Sequence, residues 1–367
     1  MSSRFQVAIV GAGPGGLLLA RMLHQFGVAF TVFERETSSA QRDQGGTLDL
    51  HLETGQNALR QAGLFEDFLK HARYEGQHTL MYDKHGTLVL EKPVDDSEDR
   101  PEIDRRHLRE VLLGSIPGDA ICWGHHLESA TSVATGGVDL KFAGCDSMRF
   151  NFVVGADGGW SKVRPLLSAA VPTYVGSTLY ELLIEDVDRQ HPEIATFVGQ
   201  GTALIEGGDK AIIIQRNSNG NVRLYAGVHQ TEDSDARGAK VSTRRDEIAA
   251  RFSGWGEIVP KLFAAATGGV RPWPIYALPV DHRWEAHSGV SLIGDAAHLM
   301  PPAGEGANLA LLDAVDLARA LASGADRAAA VRAHEEVMFK RANSAALRAM
   351  AVMSRTIDMR SVIESGE

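Results

Sequence analysis

Short apolar runs and helically spaced apolar positions alternate along the first third of this chain. Residues 7–10 are a continuous apolar run, which predicts a buried strand, and 17–23 place apolar side chains on a helix that ends near Gly27. Residues 28–33 predict a second strand. Alternating runs at 79–83 and 87–91, joined by Lys-His-Gly, predict a hairpin. A charged loop at 93–101 leads to a helix around 107–113, and strands are expected near 120–123 and 150–154. From about Leu179 the pattern shortens to strand-like runs at 179–185, 202–206, 211–215 and 222–229, separated by Gly-Gly-Asp and Asn-Ser-Asn-Gly. Such spacing predicts an antiparallel sheet. Residues 244–252 predict a helix and 290–293 another buried strand. The alanine-rich stretch after Asp326 predicts a long helix with Val331, Val337, Met338, Ala342, Ala345 and Ala349 on one face.

Composition narrows the function classes. The chain has 367 residues, enough for two substructures with sizeable cores. Its formal net charge is −10, without a basic run, so nucleic acid is not an expected partner. Two cysteines, Cys122 and Cys145, sit in unrelated contexts, which argues against a disulfide framework or a cysteine zinc site. The first strand leaves no room for a signal peptide, and no apolar run reaches transmembrane length. A soluble cytoplasmic protein without a membrane span is expected.

Chemistry concentrates in three glycine-containing segments. Gly11-x-Gly13-x-x-Gly16 follows the first strand directly, and Glu34 ends the second strand 18 residues after Gly16. This strand–turn–helix–strand–acid order is that of a dinucleotide fold, with Glu34 placed to accept hydrogen bonds from ribose hydroxyls. The motif alone does not separate FAD from NAD. Asp157-Gly-Gly follows the apolar run Val153-Val154-Gly155-Ala156; taken singly it is a tight turn. Gly294-Asp295-Ala-Ala-His298 follows the last strand, then come Pro301-Pro302 and Gly304-Glu-Gly306-Ala307-Asn308 at the start of a helix. Helix N-termini present unpaired N–H groups to electron-rich ligands. The first and last segments together suggest a flavin dinucleotide.

The set GAGPGG, ADGGWSKVR and GDAAHLMPPAGEGAN resembles that of the single-component FAD-dependent aromatic hydroxylases of para-hydroxybenzoate hydroxylase type. More narrowly, Gln44-Gly45-Gly46-Thr47-Leu48-Asp49-Leu50-His51, Ile103-Asp104-Arg105 with Leu108-Arg109, and GDAAHLMPP are similar to the tetracycline-inactivating flavin monooxygenases. The likeness runs from Val7 to about Asp316. It implies an α/β protein with a Rossmann-like FAD-binding domain, an antiparallel β-sheet substrate domain and a C-terminal helix. The FAD-binding domain is then discontinuous (residues 1–72, 102–172 and 270–325). Residues 73–101 and 173–269 form the substrate-binding domain, and 326–367 the bridging helix. The resemblance implies cofactor contacts at Gly11, Gly13, Gly16, Glu34, Arg35, Asp49, Arg105, Asp157, Asp295, Pro302, Gly304, Gly306, Ala307 and Asn308, with Arg109 the alternative to Arg105. Asp295 would accept a ribityl hydrogen bond, and amides from Gly304 to Asn308 would face the pyrimidine side of the ring. Arg42 matches an arginine implicated in binding the nicotinamide cofactor. The implied cycle reduces FAD with NADPH (NADH is the other candidate), adds O2 to give a C4a-hydroperoxyflavin, and transfers its distal oxygen to the substrate. No nucleophilic triad or metal site is expected, and a monomer is expected.

The substrate face departs from the tetracycline enzymes. Family positions bearing glutamine, arginine and histidine hold Glu181, Ala203 and Tyr225 here, and Gly227 lies on the same alternating face as Tyr225. Glu181 is a candidate base for a phenol or enol. A phenolic, polyketide-like or tetracycline-like aromatic is the expected substrate, which makes antibiotic resistance a candidate role. A flavin halogenase, suggested by Trp273-Pro-Ile-Tyr, a flavin reductase, and a non-catalytic FAD-containing binding module stand as alternatives.

Overall fold

A computed structural model of the chain describes residues 5–39, 45–94, 99–229 and 244–357. β1 (Gln6–Val10), α1 (Pro14–Gln25) and β2 (Ala29–Phe33) realise the first strand–helix–strand unit. β3 (Thr47–Asp49) and the short helices α2 (Asn57–Gln61) and α3 (Phe65–Leu69) follow. The hairpin is β4 (Thr79–Asp83) with β5 (Leu88–Lys92), and β6 (Glu102–Asp104) leads into α4 (Arg105–Gly114). Next come β7 (Ile121–Cys122), β8 (Leu127–Ser132), β9 (Val138–Phe142), β10 (Met148–Phe150) and β11 (Phe152–Gly155). The second unit contains β12 (Thr173–Ile184), α5 (Val187–Gln190), α6 (Pro192–Val198), β13 (Thr202–Gly207), β14 (Lys210–Arg216) and β15 (Val222–His229). It continues with α7 (Arg245–Arg251), α8 (Ile258–Ala265) and β16 (Thr267–Ala277). β17 (Val290–Leu292), α9 (Asp295–His298), α10 (Gly306–Ala322) and α11 (Arg327–Ile357) come last.

Among the described residues, one sheet has the order β17-β11-β1-β2-β7, with every pair parallel. Its inner strands are covered on both faces, which is why they read as unbroken apolar runs. Val7 and Ile9 pack with Leu17, Leu18, Leu311 and Leu317 of α1 and α10. Ala8 and Val10 pack on the other side with Leu140, Phe142, Met338 and Phe339. That second layer is the antiparallel sheet β10-β9-β8 together with α11, and the hydrophobic pattern does not announce β8 or β9. On α11, Val331, Met338, Ala342, Ala345 and Ala349 are buried as expected, whereas Val337 is 56% exposed. It adjoins Met338 and so is turned by about 100° around the helix, away from the contact stripe.

The other large sheet has the order β16-β12-β15-β14-β13-β4-β5. It is antiparallel except where β4 runs parallel to β13. Leu182, Ala203, Ile212, Leu224 and Ala226 pack against Ile248, Leu262 and Phe263 of the covering helices α7 and α8. The opposite face carries the polar side chains. β16 pairs with β12, so residues 270–277, which the sequence assigns to the FAD-binding portion, lie in this sheet.

Candidate active site

Register brings the three glycine segments together. Val10 is level with Gly155, and Gly155 with Leu292, so the chain leaves β1, β11 and β17 at one edge of the parallel sheet. Gly11, Ala156-Asp157 and Gly294-Asp295 start from those ends. Ligands of open α/β sheets bind outside such carboxyl ends. Gly11 has φ +106°, and a Cβ there would collide with the Ala156 carbonyl oxygen. A Cβ at Gly16 would collide with the Gly11 carbonyl, whereas one at Gly13 would meet nothing within 4 Å. The first and third glycines are therefore demanded by the protein itself, and the second borders open space. Glu34 is buried, with Oε2 accepting the Ala12 N–H at 2.7 Å and Oε1 the Glu36 N–H at 3.1 Å. It thus shapes the turn as well as flanking it, and Arg35 follows on the exposed side. Asp157 Oδ2 accepts the Lys162 N–H at 2.7 Å, while Oδ1 has no hydrogen-bond partner among the described residues. Burial pushes this carboxyl upward. Arg164, itself buried, joins the second segment to the third through the Gly159 carbonyl (2.7 Å) and the Ala296 carbonyl (3.1 Å).

Two further segments close on this edge. Asp295 is exposed at the start of α9, and Gly304 has a positive φ of 84° just before α10. Asn308 is buried, and its side chain is a clamp. Oδ1 accepts the N–H groups of His51 (2.9 Å) and Gly55 (3.2 Å), and Nδ2 donates to the carbonyls of Asp49 (2.8 Å) and Gly304 (3.0 Å). It holds the loop around Gly304 against the end of β3. Asp49 Oδ2 is 2.9 Å from His51 Nε2, a pair that stays partly exposed. Arg105 is exposed at the first turn of α4 beside Gly45, its N–H bonded to the Gly46 carbonyl. Arg109 is committed elsewhere: it is buried, with Nη2 2.9 Å from Glu36 and Nη1 3.0 Å from the Ser39 carbonyl. Arg42 lies outside the described residues. Pro302, Gly306 and Ala307 line the stretch between Asp295 and Asn308.

The polar face of the large sheet covers the same region. Tyr225 Oη lies 2.6 Å from where a Gly46 Cβ would stand, with Gln215 and Arg223 beside it. Burial, aided by Glu181, pushes the Tyr225 phenol up to about 12, so it stays a neutral donor. Glu181 pairs across the strands with Tyr225 and is buried, as expected of an acid on this face. It is not presented as a free base. Arg223 Nη1 donates to its Oε1 and Trp273 Nε1 donates to its Oε2 at 2.6 Å, with Arg271 3.8 Å away. Gly227 opposes Leu179 on this face. Ala203 does not belong to it. It is level with Ile214 and sits in the helix-covered core, because β13 presents residues of its parity to the other side. The contacts made by His51, Arg164, Trp273 and the Asn308 side chain are not read from the sequence, since each joins a partner 92 or more residues away or depends on local loop geometry.

Comparison with known proteins decides the family. Residues 4–351 match the FAD binding domain family. The monooxygenase asqM of Emericella nidulans is 31% identical over 376 residues, covering 87% of this chain and 84% of that protein. The monooxygenase penA of Penicillium thymicola is 30% identical, covering 87% and 85%. The chain belongs to the FAD-dependent aromatic hydroxylases. Two solved structures show the same fold. Klebsiella pneumoniae HpxO, complexed with FAD and uric acid, superposes with TM-score 0.81 at 22% identity, over 98% of this chain and 91% of that one. Tetracycline destructase Tet(55) does so with TM-score 0.75 at 20% identity, over 98% and 90%. This flavin monooxygenase has a site that fits its cofactor: open space beside Gly13 and an exposed Asp295 lie at one edge of the parallel sheet. No helix among the described residues is long and apolar enough to cross a membrane.

Proposed function

We propose that this monooxygenase takes electrons from NADPH, with NADH the alternative donor, and hydroxylates a small phenolic, polyketide-like or tetracycline-like substrate. One observation carries the reading: Tyr225 and Arg223 of the large sheet approach Gly46, in the loop beside Arg105 and Asp49. A substrate bound against Glu181, Tyr225 and Gly227 would thus lie over the cofactor end of the groove. FAD would be held at its dinucleotide end by Gly11, Gly13, Gly16, Glu34 and Asp157, with Arg35 at the rim. Its flavin end would meet Asp49, Arg105, Asp295, Pro302 and the Gly304–Asn308 segment. When bound, FAD supplies the reducing equivalents and the activation of O2. The chain's own residues bind, orient and exclude water. Glu181 aims Arg223 and Trp273 at the groove, and Tyr225 donates its phenolic proton to an acceptor on the substrate. The N–H groups at the start of α10 stabilise negative charge nearby.

The test is NADPH oxidation by the FAD-loaded enzyme, with oxygen uptake and product mass followed across phenols, polyketides and tetracyclines. A compound that accelerates oxidation and gains the mass of one oxygen atom is the expected result. Acceleration without oxygen insertion points to a reductase. A halogenated product formed only when bromide or chloride is added would make it a halogenase, and no acceleration at all would favour a binding module.

A further inference from the structure

Behind the cofactor loop runs a line of charges, buried at His298 and Asp313 and half-buried at Arg341 and Asp316, that the proposed chemistry leaves unused. It starts at His298, the last residue of α9, which is 7% exposed although Asp295 on the same turn faces solvent. His298 Nε2 is 2.6 Å from Asp313 Oδ2, and Asp313 on α10 is inaccessible. The same Oδ2 accepts the N–H of Gly294, the residue before Asp295, at 3.1 Å. Asp313 Oδ1 accepts Arg341 Nη2 of α11 at 2.7 Å, and Arg341 Nη1 reaches Asp316 Oδ2 at 3.2 Å. One carboxylate thus fixes both the turn bearing Asp295 and the helix bearing Asn308.

With His298 protonated, the line alternates in sign and balances: imidazolium, carboxylate, guanidinium, carboxylate. With His298 neutral, the line carries one carboxylate in excess around the inaccessible Asp313, which is costly. Burial by itself would favour the neutral ring, but the charge and hydrogen bond of Asp313 outweigh it, and Asp295 adds to them. The imidazole is displaced upward from its ordinary value. Asp313 moves the opposite way, because His298 and Arg341 overcome the effect of its burial. The other charged or titratable neighbours are His282, whose Nδ1 is 2.6 Å from the Ala297 carbonyl, Arg164 at the Ala296 carbonyl, and His334 on α11. Burial lowers both His282 and His334, so neither competes for the proton.

We propose that His298 is a positioning residue for the redox state of the flavin: held by Asp313, its imidazolium cancels the excess carboxylate charge behind the α9 turn and so favours the more negative, reduced cofactor. This rests on FAD lying against Asp295 and the Gly304–Asn308 segment. The experiment is the midpoint potential of FAD in the substrate-free holoenzyme, measured against reference dyes, for the parent and His298→Gln. Glutamine keeps a donor for Asp313 and removes the charge. The preference for reduced over oxidised FAD should fall about tenfold, or about 30 mV for a two-electron couple. An unchanged potential overturns the proposal. Should the variant lose FAD, the parent's potential from about pH 6 to about pH 10 decides. A segment in which reduction takes up one proton beyond the flavin's own supports the proposal, and a profile accounted for by the flavin's own protons alone overturns it. Asp295→Ala separates the premise from the charge argument. Undiminished FAD affinity in that variant overturns the placement of the cofactor, and the proposal with it.

Discussion

Glu102 carries a charge that its surroundings do not welcome. It lies on β6, level with Asp49 of β3, and is 7% exposed. Its nearest cation, Arg73, is 3.8 Å away and already donates to Thr47 and Asp104. Burial, with Asp49 and Asp104 adding to it, raises the carboxyl from 4.5 to about 7 against the pull of Thr47 and Arg73. The folded state therefore binds this proton more tightly than the unfolded chain. The linked stability is undiminished below 4.5, falls as pH rises through that window, and is lost in full above about 7. At about 1.4 kcal/mol per unit, the loss amounts to roughly 3 kcal/mol. Glu102→Gln should match the parent near pH 4.5 and exceed it above pH 7, as read by urea denaturation of the two proteins at both ends of the window. Equal stability at the alkaline end would mean that Arg73 neutralises the carboxylate despite its distance.

At the scale of elements, the N-terminal turn separates two kinds of glycine. Gly11→Ala forces a side chain into a positive φ and into the Ala156 carbonyl, so it should destabilise the apoprotein by several kcal/mol. Gly13→Ala meets open space in the protein alone. It should leave apoprotein melting within a degree or two while lowering FAD affinity about tenfold or more, because the methyl occupies the approach to the pyrophosphate. Fluorescence titration of both apoproteins with FAD checks the contrast. This turn was legible because its strand, glycines, helix and acid follow one another along the chain, although the Ala156 carbonyl against Gly11 comes from afar. Val222–His229 was legible too, since one buried face imposes strict alternation. β16 was not, because Gly268, Gly269, Pro272 and Pro274 read as turn residues. Proline is tolerated there because, among the described residues, β16 is an edge strand with no neighbour beyond it to need the missing N–H. The same limit explains Ala203: the face a strand residue takes depends on its register with β4 and β14, and no neighbour in sequence encodes that parity. Glu181 is level with Tyr225, and its engagement by Arg223 and Trp273 depends on strands more than 40 residues away, which its own segment does not encode.

Across the whole molecule, the parallel-sheet unit and the large-sheet unit have separate apolar cores, and a polar bridge is one of the contacts that join them. Arg73 Nη1 donates to the Arg216 carbonyl at the end of β14, and Nη2 donates to Thr47 of β3 and Asp104 of β6. Asp104 also accepts from Asn217 Nδ2 at 3.3 Å and from the Ser218 N–H at 3.2 Å, both in the turn between β14 and β15. Arg73 and Asp104 are largely buried, so removing one strands the other, at a typical cost of about 3–5 kcal/mol. Because the bridge stands beside the Gly46 loop, it sets how the polar face of the large sheet meets the carboxyl edge of the parallel sheet. Arg73→Met should split the thermal unfolding of the enzyme into two calorimetric transitions, whereas the parent melts in one. Ligand linkage then identifies them: FAD at about a hundred times its Kd stabilises whatever holds it by about 2.7 kcal/mol. In the variant, excess FAD should raise only the transition of the parallel-sheet unit and leave that of the large sheet in place. In the parent the single transition should move as a whole. A variant that still unfolds in one FAD-shifted step would show that the remaining contacts between the two units couple them without Arg73.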